Sequence, residues 1–168
     1  MKLIRRCCLI VAVLTAAQTP LRADPAKAED DCYNMAVHYT QRGFAMSPTN
    51  TSGLGGAGFT VRLLIPVTKG VDYVILVGRD AAARDLDLYV YDEVGTLILD
   101  DRRSTSRAGV KFRSSYTGTV QAYVHMARAT GLAAYAVLVG RRGEDKGAPP
   151  IPQGPTDFGG SAAEPSPR

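Results

Sequence analysis

Five aspartates between positions 85 and 101 (Asp85, Asp87, Asp92, Asp100 and Asp101) are the side chains of this 168-residue chain whose types and spacing could do chemistry. Asp85 and Asp87 stand two apart, so in an extended strand both carboxylates project from one face, about 7 Å from each other. Like charges that close call for a cation or an arginine. Calcium takes roughly six to eight oxygen ligands, and Asp85, Asp87 and Asp101, with Asp92 and Asp100 beside them, could supply several only if the loops converge. The competing use is structural: the aspartates hydrogen-bond turn backbone and pair with Arg84, Arg102 or Arg103. The absence of EF-hand spacing favours that second use.

Two further constellations surround these carboxylates. Tyr89, Tyr91 and Tyr123 form an aromatic strip if they share one sheet face, and such strips bind sugars or partner proteins by stacking and area burial. A helix packed over that face would bury them instead. Arg102, Arg103, Arg107, Lys111 and Arg113 make a basic run suited to an acidic polysaccharide or envelope polymer, or else a solvated face balancing the acids before it. The only histidines, His38 and His125, lack the spaced Cys, His or acid partners of a zinc site and are expected to be structural. Ser104, Ser106, Ser114 and Ser115 have no nucleophile-elbow setting, which argues against a hydrolase. Gly53-Leu54-Gly55-Gly56-Ala57-Gly58 matches the dinucleotide fingerprint in letters only, because the alternating stretch Phe59 to Pro66 follows where a helix should open.

The elements that must position these residues read as all-β. Leu86, Leu88 and Val90 fall on one face of a period-2 ribbon and Asp85, Asp87, Tyr89 and Tyr91 on the other, while Asp92-Glu93-Val94-Gly95 supplies a turn into a second strand ending at Asp101. Val71 to Val77 is almost continuously apolar, as a central strand covered on both faces would be. Phe59 to Pro66, Gly109 to Arg113, Thr119 to Met126 and Ala133 to Gly140 add further strands. Seven or eight short strands with turn signals between them specify an antiparallel sandwich or jelly-roll-like fold over residues 44–143. Before it, a polar stretch leads into a short helix at 32–42, spaced by Cys32, Met35, Ala36 and Tyr39, although Ala36 to Tyr39 also reads as a strand. Residues 144–168, rich in proline and glycine, are expected to be disordered.

Met1 to Arg6 is basic and Cys7 to Ala17 apolar, the pattern of a signal peptide too short to span a bilayer, with cleavage after Ala17 or Ala23. The expected compartment is periplasmic or extracellular. Removing residues 1–23 takes four of the 20 basic residues and none of the 16 acidic ones, so the mature chain is balanced and nucleic acid loses its compositional support as a partner. No stable membrane insertion is expected after cleavage. Cys7 and Cys8 leave with the signal, and Cys32 then has no partner within its chain, though it could join two chains.

The run Asp85-Leu86-Asp87-Leu88-Tyr89-Val90-Tyr91-Asp92 with Gly95, together with Lys69 to Tyr73, Tyr116 to Val120 and Tyr135 to Val139, resembles the bacterial pre-peptidase C-terminal domain over about residues 59–142. The family's later "T-G-x-Y" signpost differs here, where Thr119-Val120 stands in place of the tyrosine. The resemblance implies a jelly-roll-like sandwich of the kind appended to secreted proteases, some relatives binding calcium, collagen or polysaccharide, and it carries over no catalytic residue. The expectation is an exported, non-catalytic module that requires no cofactor and recognises a polysaccharide, cell-envelope polymer or secreted protein through Tyr89, Tyr91, Tyr123, Arg102 and Arg103. The alternative is a calcium-stabilised module holding its ion at Asp85, Asp87 and Asp101.

Overall fold

The computed structural model describes residues 22–47 and 51–143. The expected tail and all but the last two residues of the expected signal peptide lie outside them. Among the described residues one helix, α1 (Pro25–Thr40), precedes nine strands: β1 (Ala45–Met46), β2 (Thr51–Gly55), β3 (Thr60–Val67), β4 (Asp72–Arg79), β5 (Ala83–Tyr91), β6 (Leu97–Asp101), β7 (Ala108–Arg113), β8 (Gly118–Ala129) and β9 (Ala133–Arg142). Every pairing is antiparallel. One sheet runs β9-β4-β7, with β1 and β2 following one another along the free side of β9, and the other runs β3-β8-β5-β6. This is the strand order of a jelly roll, so the sandwich expected from the alternating stretches is the fold.

Burial follows the strand patterns. Tyr73, Ile75 and Val77 of β4 meet Leu86, Leu88 and Val90 of β5 and Val120, Ala122 and Val124 of β8 between the sheets. Val74 and Leu76, pointing the other way, are buried with Ala134, Ala136 and Leu138 of β9 beneath α1. Each continuously apolar strand is therefore covered on both faces, while β5 and β8, which alternate, are covered on one. The molecule has three layers: helix, β4/β9 sheet, β5/β8 sheet.

The helix begins well before the expected position 32. Asp24 caps it, its carboxylate accepting from the Lys27 N–H at 3.3 Å, and Pro25 opens it with a pre-set φ. Its buried stripe is small, Ala28, Cys32 and Ala36, which conceals the period from a search for large apolar residues. The glycine-rich stretch is strand β2 and its turn. Gly53 lies under the Tyr135 ring and Gly55 under Phe59, where an added Cβ would stand 2.5 Å from each, so these glycines admit aromatic side chains rather than a pyrophosphate.

Small residues also set how closely α1 sits. A Cβ on Gly78 of β4 would come within 2.5 Å of the Ala28 carbonyl oxygen and the Cys32 nitrogen, both helix backbone atoms. Cys32, wholly buried there, accepts from the Gly78 N–H at 3.0 Å and lies 3.1 Å from the Ala136 carbonyl oxygen. Burial pushes its thiol up to about 12 from an ordinary 9.0. This corrects the expectation that Cys32 could bridge two chains, because its sulfur faces strand backbone under the helix. Two outcomes follow. Thiol reagents are expected to label Cys32 stoichiometrically only after denaturation, with a monomer band on a non-reducing gel. Because the unfolded thiol ionises first, the stability it contributes is complete below pH 9.0 and is lost as pH rises toward 12, which thermal melts in that window check.

Candidate binding face

The outer surface of the β3-β8-β5-β6 sheet lies opposite the helix. Its register sets polar and aromatic side chains in rows across the strands. Thr60, His125 and Asp87 form one row, Arg62, Tyr123, Tyr89 and Asp100 the next, and Leu64, Gln121 and Tyr91 a third. The alternation that sends Leu86, Leu88 and Val90 inward on β5, and Val120, Ala122 and Val124 inward on β8, leaves these side chains outside. The three tyrosines are thus brought together, each of them half-buried. Tyr91 and Tyr123 meet edge to face with ring centroids 5.4 Å apart.

Their hydroxyls are tied down on the same surface. Tyr123 donates to Gln121 Oε1 at 3.2 Å and Tyr89 to Asp87 Oδ2 at 3.4 Å. Thr60 Oγ1 and His125 Nδ1 are 2.8 Å apart. Arg102 Nε pairs with Asp100 Oδ2 at 2.8 Å, and its charge acts on both Asp87 and Tyr89, which puts Arg102 beside the aromatic rows. Burial raises the Asp87 carboxyl above its ordinary range, the neighbouring Asp85 charge adds to this, and His125, Tyr89 and Arg102 work against it. The Tyr89 hydroxyl is raised too, first by burial and then by the Asp87 charge. The surface therefore combines aromatic area with fixed donors and acceptors, which suits recognition of a partner more than bond breaking.

The aspartates expected to share an ion are separated. Asp101 opposes Leu88 in the β5/β6 register, so its side chain lies on the core side of the sheet, away from Asp87. There it receives a two-pronged pair from Arg103, Nε and Nη2 each at 2.8 Å, and the N–H of Gly109 on β7 at 3.0 Å, joining the two sheets at their edge. That pairing holds the Asp101 carboxyl below its ordinary range. Arg103 goes with it and is not part of the tyrosine surface, unlike the expected grouping. Asp92 closes the hairpin turn, accepting from the Val94 and Thr96 N–H groups. Asp85 follows a bulge at Arg84 and is buried, its Oδ2 paired with Arg128 Nε at 3.1 Å and its Oδ1 without a hydrogen-bond partner. Among the described residues no group of three or more His, Cys, Asp or Glu side chains converges on a metal-sized site. Asp85 and Asp87 remain neighbours, two carboxylates where calcium wants more.

Sequence reading missed Thr60 and Arg128 and assigned His125 a structural place. Thr60 lies 65 positions from His125 and Arg128 lies 43 from Asp85, separations that only the strand order closes. The one available signal was alternation: His125 shares its parity with Tyr123 on β8, so both had to fall on the same face.

No protein-family model matches the chain, and no curated protein matches it in sequence. Among solved structures, PliG of Aeromonas hydrophila, a periplasmic lysozyme inhibitor of g-type lysozyme, is similar with a TM-score of 0.46 at 11% identity, over 60% of this chain and 90% of that one. A likeness at that score carries no argument about this chain's function. Among the described residues no helix is long and apolar enough to cross a membrane.

Two substitutions separate the roles of the carboxylates. Asp87 holds its proton more tightly in the folded chain than in the unfolded one, so its ionised form costs stability at neutral pH. Asp87→Asn is expected to raise Tm at pH 7, with the difference vanishing below the ordinary carboxyl value of 3.8, as melts across pH 3 to 7 will show. Asp101→Ala leaves the Gly109 N–H bare at the sheet edge and is expected to cost about 1–3 kcal/mol in urea denaturation.

Proposed function

We propose that the protein is an exported, non-catalytic binding module that takes a secreted or envelope protein on the outer face of the β3-β8-β5-β6 sheet. The observation that carries the reading is that α1 covers the other sheet, so Tyr89, Tyr91 and Tyr123 stand together on a face that no element of the described chain packs against. Tyrosine and arginine are the side chains most often found at energetic centres of protein interfaces, because they combine large area with a polar tip at modest entropy cost. Here Arg102 supplies the charge at the rim, and Thr60, His125 and Asp87 supply donors and acceptors that would fix register. The resemblance to the pre-peptidase C-terminal domain, itself part of this proposal, is in keeping with an accessory role outside the cytoplasm. A polysaccharide would use the same rings.

The test is crosslinking from defined positions in the native compartment. A photoreactive amino acid at Arg62 or Leu64, on the tyrosine face, is expected to give a discrete adduct with a protein, and one at Val37, exposed on α1, is expected to give none. Replacing Tyr89 and Tyr123 together by alanine is expected to reduce that adduct at least about tenfold, the effect of losing 1.4 kcal/mol or more of binding. Adducts from Val37 and not from the sheet would contradict the proposal. Adducts with glycan alone would assign the face to a polymer instead.

A further inference from the structure

The described chain begins against a buried carboxylate. Asp80, at the end of β4, is 3% exposed, yet it is an aspartate and not an apolar residue. Its Oδ1 accepts from the N–H groups of Ala82 at 2.9 Å and Ala83 at 3.1 Å, and its Oδ2 from that of Ala134 on β9 at 3.0 Å. The fourth donor is the backbone nitrogen of Asp24, 56 positions away, also 3.0 Å from Oδ2. Asp24 is the cap of α1, and the next residue is the first of the helix. The four bonds to the carboxylate all come from backbone nitrogens, and the neighbouring Arg79 guanidinium bonds the carbonyl oxygens of Asp80 and Ala83 instead of the carboxylate, so the buried charge has no charged hydrogen-bond partner among the described residues.

We propose that Asp24 is the amino terminus of the mature chain and that its α-ammonium is the counter-ion of Asp80. Hydrolysis of the Ala23–Asp24 peptide bond by a leader-removing endopeptidase adds one water: Ala23 leaves with a carboxylate, and the Asp24 nitrogen becomes an ammonium in the position where its amide N–H already meets Oδ2. A hydrogen bond from an uncharged amide to the carboxylate is replaced by one in which donor and acceptor both carry charge, so that an ion pair is added to the bond already there. The helix cap, the β4 to β5 connection and the start of β9 are then held through one ion pair that the uncleaved precursor cannot make. The geometry thereby separates the two cleavage positions that the sequence leaves open. A cut after Ala17 would leave the Asp24 nitrogen an amide, whereas a cut after Ala23 places the new charge on a carboxylate already built to receive it. The half-buried contact of Ala23 with the helix cluster is given up in exchange.

The full precursor, residues 1–168, is expressed in an exporting bacterial host and the exported product is read by intact mass and amino-terminal sequencing. A chain beginning Asp24-Pro25-Ala26 is expected, and one beginning at Gln18, or an unprocessed chain, overturns the assignment. The ion pair is read separately by comparing that product with the same chain carrying two alanines before Asp24. The extension is expected to lower Tm by roughly 3–6 °C. In an Asp80→Asn background the same extension is expected to cost little, because the counter-charge is gone. Equal Tm for the free and extended chains overturns the ion pair even if the cleavage position is right. Should Asp80→Asn fail to fold, acylation of the α-amino group decides: the proposal requires it to react at least tenfold more slowly in the folded protein than in urea, and equal rates contradict it.

Discussion

The close seating of α1 on the β4/β9 sheet is the constraint on which the rest of the structure depends. Strands β4 and β9 are apolar on both faces, so a sandwich alone would leave Val74, Leu76, Ala134, Ala136 and Leu138 in water. The helix meets that need with small residues. Ala28, Cys32 and Ala36 line its contact face, and Gly78 lets the helix backbone approach β4 within a distance that no side chain would permit. Once the helix is committed there, the outer face of the other sheet has no cover from the described chain. The location of the tyrosine surface thus follows from where the apolar strands are.

Charged side chains reinforce this arrangement at its margins. Arg107, after β6, pairs with Asp31 of α1, and Arg142 at the end of β9 pairs with Asp72 of β4 and lies over the Phe44 ring. Asp101 joins the sheets at the β6/β7 edge. These pairs are partly exposed and each contributes modestly. Within the acidic cluster the same holds for Asp85, Asp100 and Asp101, paired with Arg128, Arg102 and Arg103, and Asp92 closes a turn, which leaves Asp87 on the tyrosine face as a carboxylate whose ionised form costs stability. Groups of that kind concentrate at functional surfaces.

The hairpin around Asp92 and Gly95 was legible in the sequence, as were its inward and outward residues and the two-sided burial of β4, because alternation and continuous apolarity record burial directly. The sequence reading left open whether the helix covers Tyr89, Tyr91 and Tyr123; the structure seats it on β4 and β9, whose apolar outer residues a helix over the tyrosines would leave bare. What could not be read was convergence at long range. That Asp101 turns inward to Gly109, that Asp85 finds Arg128, and that Arg102 and Arg103 part to opposite sides of the sheet all depend on register and on a bulge. The start of α1 escaped because its buried stripe is alanine and cysteine, and residues 44–58 read only as a loop or irregular strand because β1 is two residues long and β2 is interrupted by glycines.

The most direct test of the account is hydroxyl-radical footprinting of the protein in its native compartment against the purified chain. The account expects protection confined to the β3-β8-β5-β6 face, strongest at Tyr89, Tyr91 and Tyr123, with Tyr33 and Val37 on the helix reacting equally in both samples. Protection of the helix with unchanged tyrosines would contradict it, because the partner would then meet the layer that the fold already uses to cover its core.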